Sequence, residues 1–368
     1  MTKVCHMTSA HRNDDTRIFH KQCVSLASAG YDIYLVAQGG SFEKKGVKIS
    51  GIPKVSGGRI KRMTKGAKAV YIKALEIDAD IYQIHDPELL PYALKLKKKG
   101  KIVIFDSHED FIEILHEKRY IPSLLKPLFG FVFKKYYALV IKKCDAIITV
   151  TPHILDKFKK LNNNAYMITN YPIIGDVNEE KAYAASKNII FAGGITEQWC
   201  HHLVIEAVEK CSNEVKYVLV GRSDDKYMMK LKEMQKWNAV VFQGSIPFTD
   251  VSKKLCEASV GMAILKYNRN TCGSLGSLGN TKVFEYMSEA LPVICTDFVL
   301  WKSIVERYNC GICVNPYDAD EIAEAIDYLL DNPEIARTMG QNGRRAVIEE
   351  FNWGIEERKL IDLYKQLI

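Results

Sequence analysis

Hydrophobic runs of strand length alternate with amphipathic stretches of helical period along this chain. In the first half these runs are rich in Val and Ile, show almost no polar alternation, and are separated by helical segments. Strands that are apolar on both faces are typical of a parallel sheet covered by helices on both sides. The predicted strands are Lys3–Met7, Asp32–Ala37, Ile81–His85, Ile102–Asp106 and Ala146–Thr149.

The same pattern begins again after Tyr171-Pro172, and the polar stretch Asp176–Lys187 is predicted to be a linker. We therefore predict an α/β fold of two Rossmann-like doubly wound domains, residues 1–172 and 173–352, facing each other across a cleft. The strands of the second domain are predicted at Asn188–Phe191, Tyr217–Val220, Val240–Gln243, Val260–Leu265, Pro292–Cys295 and Gly311–Val314.

Length and composition agree with a two-domain globular protein. The chain has 368 residues, of which 47% are hydrophobic. No apolar run reaches the ~18 residues of a transmembrane helix, and the start of the chain is too polar for a signal peptide. We therefore expect a cytoplasmic protein. Residues 1–170 carry 29 Lys and Arg against 16 Asp and Glu, whereas the remainder carries 22 against 28. A basic first half predicts an anionic partner, either nucleic acid or anionic lipid.

Polar residues follow the predicted strands of the first domain where each strand ends. The carboxyl ends of parallel strands meet at one edge of a sheet, so these residues are expected to bind a polyhydroxy substrate together. A histidine near a carboxylate can also act as an acid, a base or an oriented donor. A helix cap is the alternative for the aspartate at position 15. The residues are His11, Asp15, Arg17, His85, Asp86 and His108.

In the second domain, glycines follow the first strand and a glycine-rich loop enters a short helix. Gly193-Gly194 allow close backbone approach to a phosphate, and Leu219–Arg222 repeats this geometry on the next strand. The short helix carries Lys282 and Glu285 on one face. That face can hold a phosphate with the lysine and a ribose diol with the glutamate. An ordinary i,i+3 ion pair is the alternative interpretation.

We expect no metal site and no dinucleotide cofactor. The string Asp78-Ala79-Asp80 precedes a strand and Asp318-Ala319-Asp320 begins a helix, whereas a metal-dependent transferase needs such a string at a strand end. The loop after the first strand lacks the G-x-G-x-x-G pattern of dinucleotide-binding proteins.

The segment Tyr120–Lys143 is aromatic, basic and of helical period. Such a helix is predicted either to lie on an anionic membrane surface or to belong to the core with a lysine edge. The basic first half favours the membrane, and we expect no nucleic-acid partner.

Together these motifs resemble the GT-B glycosyltransferases, specifically glycosyltransferase family 4, and within it a branch that builds bacterial capsules and O-antigens. The resemblance lies in His11–Phe19, His85–Leu90, Asp106–Asp110 and Asn280–Tyr286. It implies transfer of a sugar from a nucleotide-diphosphate donor, with retention of anomeric configuration and without a metal. It also implies a terminal helix, residues 353–368, that packs back on the first domain.

The resemblance also implies roles for the candidate residues. The first domain takes the acceptor through His11, Asp15, Arg17, His85 and Asp86. The catalytic residues are His108, Lys282 and Glu285. The second domain takes the donor through Gly193, Gly194, Arg222, Asn280, Thr281, Lys282 and Glu285.

Two features depart from the family pattern. The first glutamate of the common Glu-x7-Glu motif falls at Ser277, and the stretch Thr196–His202 lacks the usual Arg and Lys that neutralise the diphosphate. Lys282 or Arg222 can supply the missing charge.

The sequence therefore predicts a transferase at the inner face of the cell membrane, acting on a lipid-linked or glycan acceptor. The departures from the family pattern also fit a non-catalytic partner subunit of a glycosyltransferase complex. A UDP-sugar 2-epimerase, which has the same fold, is the remaining alternative.

Overall fold

The computed structural model of the chain describes residues 1–53, 61–107, 126–175 and 187–368. It divides into two compact units. The first comprises Met1–Asn170 together with Trp353–Ile368, and the second comprises Tyr171–Asn352. Each unit has its own, mostly parallel sheet with helices on both faces, which confirms the predicted fold class.

The sheet of the first unit has the strand order β3-β4-β2-β1-β5-β6-β7-β8. Neighbouring strands are parallel except β3 and β4, which are antiparallel. Sequence analysis missed β3 because it is fully exposed, and β4 because its exposed and buried residues are mixed. The strands are β1 (Lys3–Arg12), β2 (Asp32–Gln38), β3 (Phe42–Lys44), β4 (Val47–Ile52), β5 (Ile81–Ile84), β6 (Ile102–Ser107), β7 (Ala146–Thr149) and β8 (Ala165–Met167).

Helices cover both faces of this sheet. The first and third helices have the wider π pitch. One buried cluster lies between the sheet and α4, α5 and α6, and a second lies under α1. The helices are α1 (Thr16–Cys23), α2 (Val24–Ser28), α3 (Arg62–Gly66), α4 (Ala67–Ile77), α5 (Leu90–Lys98), α6 (Lys126–Lys143) and α7 (Pro152–Lys159).

The sheet of the second unit is parallel throughout and has the order β11-β10-β9-β12-β13-β14. Its strands are β9 (Asn188–Ala192), β10 (Lys216–Val220), β11 (Val240–Gly244), β12 (Val260–Ala263), β13 (Val293–Thr296) and β14 (Gly311–Val314). Its helices are α8 (His201–Lys210), α9 (Asp225–Lys232), α10 (Phe248–Cys256), α11 (Lys282–Ser288), α12 (Val299–Tyr308), α13 (Ala319–Asp331) and α14 (Pro333–Glu349).

The last helix, α15 (Trp353–Gln366), belongs to the first unit although it follows the second in the chain. Its apolar face is buried against β-strands and α1. The indole Nε1 of Trp353 donates to the Ser25 hydroxyl at 2.9 Å. The buried carboxylate of Glu356 accepts from the backbone N–H of Thr169 at 2.7 Å. The first bond attaches the helix to α2, and the second attaches it to the chain segment that leads out of the unit.

Across the described ranges, every helix is too short or too polar to span a bilayer.

Candidate functional site

The first sheet reverses its strand order at β1, which has β2 on one side and β5 on the other. In an open parallel sheet such a switch point opens a crevice beyond the carboxyl ends of the two central strands, where ligands bind. His11 lies near the end of β1, and Asp86 follows β5 by two residues. The structure brings the two together, with His11 Nδ1 3.0 Å from Asp86 Oδ1.

Hydrogen bonds surround the buried carboxylate of Asp86. Its Oδ2 accepts from the backbone N–H of Ser9 at 2.6 Å, from that of Ala10 at 3.1 Å and from the Thr8 hydroxyl at 2.8 Å. Burial by itself raises the pKa of this carboxyl, but the hydrogen bonds from His11, Thr8 and Ser9 outweigh it and hold the pKa below its ordinary value. Asp86 is therefore a fixed negative charge at the switch point.

Asp15 caps a helix. Its Oδ1 accepts from the backbone N–H groups of Arg17 and Ile18, both at 2.9 Å, at the first turn of α1. The capping alternative is confirmed. Contact between Asp15 and an acceptor stays a prediction.

Arg17 lies in the interior of the first unit. Its side chain is 6% exposed and faces the fully buried Asp106, with Nε 3.0 Å from Oδ2 and Nη2 2.8 Å from Oδ1. Nη2 also donates to the carbonyl oxygen of Ile168 at 3.1 Å. Contact of Arg17 with an acceptor stays a prediction, because the structure shows the guanidinium engaged within the unit. The guanidinium holds the carboxyl end of β6 against α1.

His85 directly follows β5, as predicted, but its side chain is fully buried. Its contact with an acceptor stays a prediction. Side chains alternate along a strand, and His85 falls on the interior face shared with Gln83, whereas Asp86 falls on the other. His85 Nε2 lies 3.0 Å from His6 Nδ1, and its Nδ1 lies 3.2 Å from Asp106 Oδ2. Burial lowers the pKa of His6 well below its ordinary value, and His85 lowers it further.

A chain of buried amides connects Asp106 with the last helix. Gln22 Nε2 donates to Asp106 Oδ2 at 2.7 Å, and Gln83 Nε2 donates to Gln22 Oε1 at 2.6 Å. The Tyr364 hydroxyl of α15 donates to Gln83 Oε1 at 2.6 Å. Sequence reasoning missed these residues, although a glutamine within the otherwise apolar strand β5 was an available signal. A satisfied buried network of this kind specifies one arrangement of the core.

The second sheet has its own switch point, between β9 and β12. Gly193 and Gly194 directly follow β9. A Cβ on Gly193 would lie 2.8 Å from Lys282 Cε, and a Cβ on Gly221 would lie 1.8 Å from the carbonyl oxygen of Gly193. Only glycine fits at position 221, where backbone atoms block a side chain, whereas a Cβ at position 193 would displace the end of the Lys282 side chain. A Cβ on Gly194 would meet no atom within 4 Å, so this residue borders open space.

The side chain of Lys282 crosses the Gly193 turn and pairs with Glu285. Lys282 Nζ lies 2.6 Å from Glu285 Oε2, and the Thr281 hydroxyl donates to Glu285 Oε1 at 2.6 Å. The lysine and glutamate side chains are 20% and 30% exposed. The i,i+3 ion pair offered as the alternative is therefore confirmed. Contacts of Lys282 with a phosphate and of Glu285 with a ribose stay predictions.

Tyr286 fixes α11 to both strands of the switch point. Its fully buried phenol accepts from the backbone N–H of Ala192, at the end of β9, at 3.2 Å. Its ring covers Gly261 of β12, where a Cβ would lie 2.4 Å from the ring. Sequence reasoning did not single out Tyr286. Its contacts hold the helix that carries Lys282 and Glu285 in one position.

Ser277, at the position where the family pattern has a glutamate, is buried in its own loop. Its hydroxyl accepts from the backbone N–H of Gly279 at 3.1 Å, and its carbonyl oxygen accepts from Trp301 Nε1 at 3.0 Å. This position therefore offers no charge to a sugar.

The remaining predicted residues are Arg222, Asn280 and His108. Arg222 is exposed, and its guanidinium forms no ion pair with any residue that the structure describes. Its carbonyl oxygen accepts from the backbone N–H of Ile195 at 2.8 Å. Asn280 is half-buried and directly precedes Thr281. His108 lies outside the described residues.

Family models match both units. Residues 16–170 match the model described as Glycosyltransferase Family 4, and residues 173–346 match the model described as Glycosyl transferases group 1. The chain belongs to glycosyltransferase family 4, of the GT-B type. Membership of this family agrees with the resemblance found in the sequence motifs.

Curated relatives in the family match over short segments. The chain is 36% identical to the MMP alpha-(1->4)-mannosyltransferase of Mycolicibacterium hassiacum over 85 residues. This matched segment covers 23% of this chain and 21% of that protein. The chain spans less than half the length of the curated relatives that it matches.

Solved structures are similar over the whole chain. Sucrose-phosphate synthase from Thermosynechococcus elongatus has a TM-score of 0.79 at 16% identity, covering 100% of this chain and 99% of that one. HepE of Anabaena in complex with UDP and glucose has a TM-score of 0.75 at 12% identity, with full coverage of both chains (100% each). At these identities the similarity establishes the fold alone.

Proposed function

We propose that this protein transfers a sugar from a nucleotide-diphosphate sugar to a hydroxyl group of a glycan acceptor. The observation that carries the proposal is the position of Lys282, which crosses the Gly193 turn beside Glu285 at the switch point of the second sheet. A cation, a close backbone approach and a carboxylate suit a diphosphate and a ribose diol. Membership of family 4 supports the same reaction.

The second unit takes the donor in this proposal. Lys282 exchanges Glu285 for an oxygen of the diphosphate, and the Glu285 carboxylate accepts hydrogen bonds from the ribose hydroxyls. Gly194, which borders open space, leaves room for the phosphates beside the backbone. Negative charge builds on the diphosphate as the sugar departs, so a cation already in position lowers the barrier to departure.

The first unit takes the acceptor at the His11–Asp86 pair. We include in the proposal retention of anomeric configuration, a part for His108 in positioning the donor sugar, and a role in bacterial surface polysaccharide synthesis. The resemblance of the motifs supports these parts. HepE, which has the same fold, has been solved with UDP and glucose, and this supports a nucleotide sugar as the donor.

The surface of α6 supports a lipid-linked acceptor at the inner face of the membrane. One side of this helix is buried in the core through Tyr137, Val140 and Ile141. The other side exposes Phe131 and Leu139, which are 58% and 51% exposed. Four exposed lysines accompany these two apolar side chains, at positions 134, 135, 142 and 143. Apolar side chains flanked by lysines suit an anionic bilayer surface, so the helix serves as core on one face and as membrane contact on the other.

Incubation with UDP-, GDP-, ADP- and dTDP-sugars, with and without a polyprenyl-diphosphate-linked monosaccharide, tests the proposed function. We expect one donor to glycosylate this acceptor, at the same rate in excess EDTA because no metal takes part. Loss of turnover in EDTA that Mn²⁺ or Mg²⁺ restores would contradict the metal-free reaction. Binding of a nucleotide sugar without transfer would favour a non-catalytic subunit, which the buried Ser277 supports as a second candidate. Conversion of a UDP-sugar without acceptor would indicate an epimerase.

Replacing Lys282 by alanine is expected to weaken binding of the donor's nucleoside diphosphate by about 1.5–3 kcal/mol, the range for a hydrogen bond to a charged group. Isothermal titration calorimetry measures the change. The matched control is Lys302→Ala, which removes an exposed lysine that pairs with Glu306 in the same unit. An affinity unchanged by Lys282→Ala, or lowered equally by both variants, would rule out Lys282 as the diphosphate ligand.

Replacing Glu285 by glutamine is expected to weaken a ribonucleotide more than the corresponding 2′-deoxyribonucleotide. The carboxylate accepts from both ribose hydroxyls, whereas the amide offers one acceptor oxygen. The measurement is the dissociation constant of UDP and of dUDP, or of the preferred nucleoside diphosphate and its 2′-deoxy form. The ratio of the two constants is compared between wild type and variant. Glu306→Gln, an exposed change on α12, is the control. The ribose assignment fails if Glu285→Gln weakens both nucleotides by the same factor.

A further inference from the structure

The donor diphosphate of the proposed function calls for more positive charge than Lys282 brings. A diphosphate carries more than one negative charge, and it gains another as the sugar departs. Lys282 brings a single positive charge, and the Glu285 carboxylate already lies 2.6 Å from it. The loop that follows β9, Thr196–His202, contains neither Arg nor Lys. A second cation is therefore expected from another element of the second unit.

Lys266 lies beyond the carboxyl end of β12, which is parallel to β9 and ends at Ala263. The backbone N–H of Lys266 donates to the carbonyl oxygen of Gln198 at 2.9 Å. Gln198 belongs to the loop that follows β9. This bond connects the segment after β12 with the loop after β9 at the switch point, where ligands bind in an open parallel sheet.

The ammonium group of Lys266 acts on two side chains of the same loop. Burial raises the pKa of the Cys200 thiol to about 11, against the opposing charge of Lys266. Burial also lowers the pKa of His202, the charge of Glu197 raises it, and the charge of Lys266 lowers it further. These effects place the positive charge near the start of α8, beside a loop that has no cation of its own.

The Lys266 ammonium is available to an anionic ligand. Its side chain is part-buried and forms no ion pair with any residue in the described ranges. Glu197, the carboxylate that shares its surroundings, is exposed and likewise forms no ion pair within those ranges. Lys282 has to leave its carboxylate to bind a phosphate, whereas Lys266 has no such bond to break.

The backbone at the end of β9 offers a hydrogen-bond donor in the same crevice. The N–H of Gly193 donates to the carbonyl oxygen of Val220, and that of Ile195 donates to the carbonyl oxygen of Arg222, both at 2.8 Å. The N–H of Gly194, between them, has no acceptor in the part of the chain that the structure describes. Gly194 is exposed and borders open space, so a phosphate oxygen can approach this N–H.

We propose that Lys266 binds the donor diphosphate together with Lys282 and the backbone N–H of Gly194. This inference rests on the proposed function. Lys282 comes from α11 across the Gly193 turn, and Lys266 comes from the segment after β12, so the whole site lies within the second unit. Arg222, the other candidate for the missing charge, follows β10, which lies on the far side of β9 from β12.

Isothermal titration calorimetry with UDP, GDP, ADP and dTDP tests the proposal, using the tightest binder as the probe. Lys266→Met keeps the apolar stem and removes the charge, so we expect it to weaken binding roughly tenfold or more. Lys266→Arg keeps the charge and should bind more tightly than Lys266→Met. A role in packing alone would give the reverse order. The matched control is Lys253→Met, which removes a lysine that is 79% exposed in the same unit and should leave binding unchanged.

The outcomes separate this inference from the proposed function. If wild type binds none of these nucleoside diphosphates, the proposed function fails, and the role of Lys266 with it. If wild type binds one and Lys282→Ala weakens it but Lys266→Met does not, the role of Lys266 alone is refuted. A larger loss from Arg222→Met than from Lys266→Met would assign the second charge to Arg222 and also overturn the inference.

Discussion

Replacing Arg17 by alanine is expected to lower the free energy of unfolding of the first unit by about 3–5 kcal/mol. The variant leaves the carboxylate of Asp106 fully buried without its bidentate partner. A buried charge deprived of its counter-ion costs far more than an exposed one. Urea denaturation at neutral pH measures the loss, and hydrogen exchange of peptides from the first unit assigns the transition.

The matched control is Arg12→Ala in the same unit. Arg12 pairs with Asp14, and the two side chains are 80% and 55% exposed, so this pair contributes at most ~1 kcal/mol. Comparable losses from Arg12→Ala and Arg17→Ala would contradict the buried-pair account.

The buried pair of Arg17 and Asp106 also makes the free energy of unfolding depend on pH. Burial raises the pKa of the Asp106 carboxyl, but the Arg17 charge and the His85 contact outweigh it and hold the pKa well below its ordinary value. A lowered folded-state pKa stabilises the fold above the unfolded value of about 4 and loses that contribution as the pH falls through the folded value. In Arg17→Ala, by contrast, protonation of Asp106 removes an unpaired buried charge. The difference in free energy of unfolding between wild type and Arg17→Ala should therefore shrink below about pH 4.

Replacing Lys134, Lys135, Lys142 and Lys143 by glutamine is expected to release the protein from anionic vesicles. Each lysine near such a surface contributes about 1 kcal/mol, so the four together are expected to change partitioning by roughly a thousandfold at low salt. The loss should diminish as salt screens the charges. Sedimentation with phosphatidylglycerol and phosphatidylcholine vesicles measures the partitioning of the protein onto the vesicles. The affinity for the nucleotide should stay unchanged.

A charge-matched control separates this surface from general attraction. Lys226, Lys230, Lys232 and Lys253 are exposed lysines of the second unit, and their replacement by glutamine removes the same net charge. That variant should still sediment with anionic vesicles. Replacing Phe131 and Leu139 by serine tests the apolar part. Equal sedimentation of wild type with neutral and anionic vesicles, or with neither, would indicate that α6 serves the core alone.

The fold was largely predictable because its signal is local. Strands buried on both faces appear as continuous apolar runs, and the two series of runs predicted the two sheets. The pairing of Lys282 with Glu285 was also within reach, since residues three apart share a helix face. Strands β3, β4 and β8 were missed because none of them is a continuous buried run: β3 is fully exposed, β4 mixes exposed and buried residues, and β8 has only three residues.

The placement of Arg17 and His85 was not predictable in the same way. Arg17 reads as a surface residue near the start of a helix until Asp106, 89 positions away, supplies a buried partner. His85 and Asp86 both follow one strand, and the single-residue alternation of side chains sends one to the interior and the other to the switch point. Long-range pairing of polar groups leaves little trace in a single sequence.

The return of α15 to the first unit reverses the usual order of folding during synthesis. Domains generally fold as units from the N-terminus while the ribosome adds roughly 5–20 residues per second. The second unit, Tyr171–Asn352, spans roughly 180 residues, so about 10–40 seconds pass before α15 is made. During that interval Gln83 lacks the Tyr364 hydroxyl, and the apolar face beneath α15 has no cover. The part of the protein that is synthesised first is thus completed last, and its nascent form presents a surface that molecular chaperones recognise.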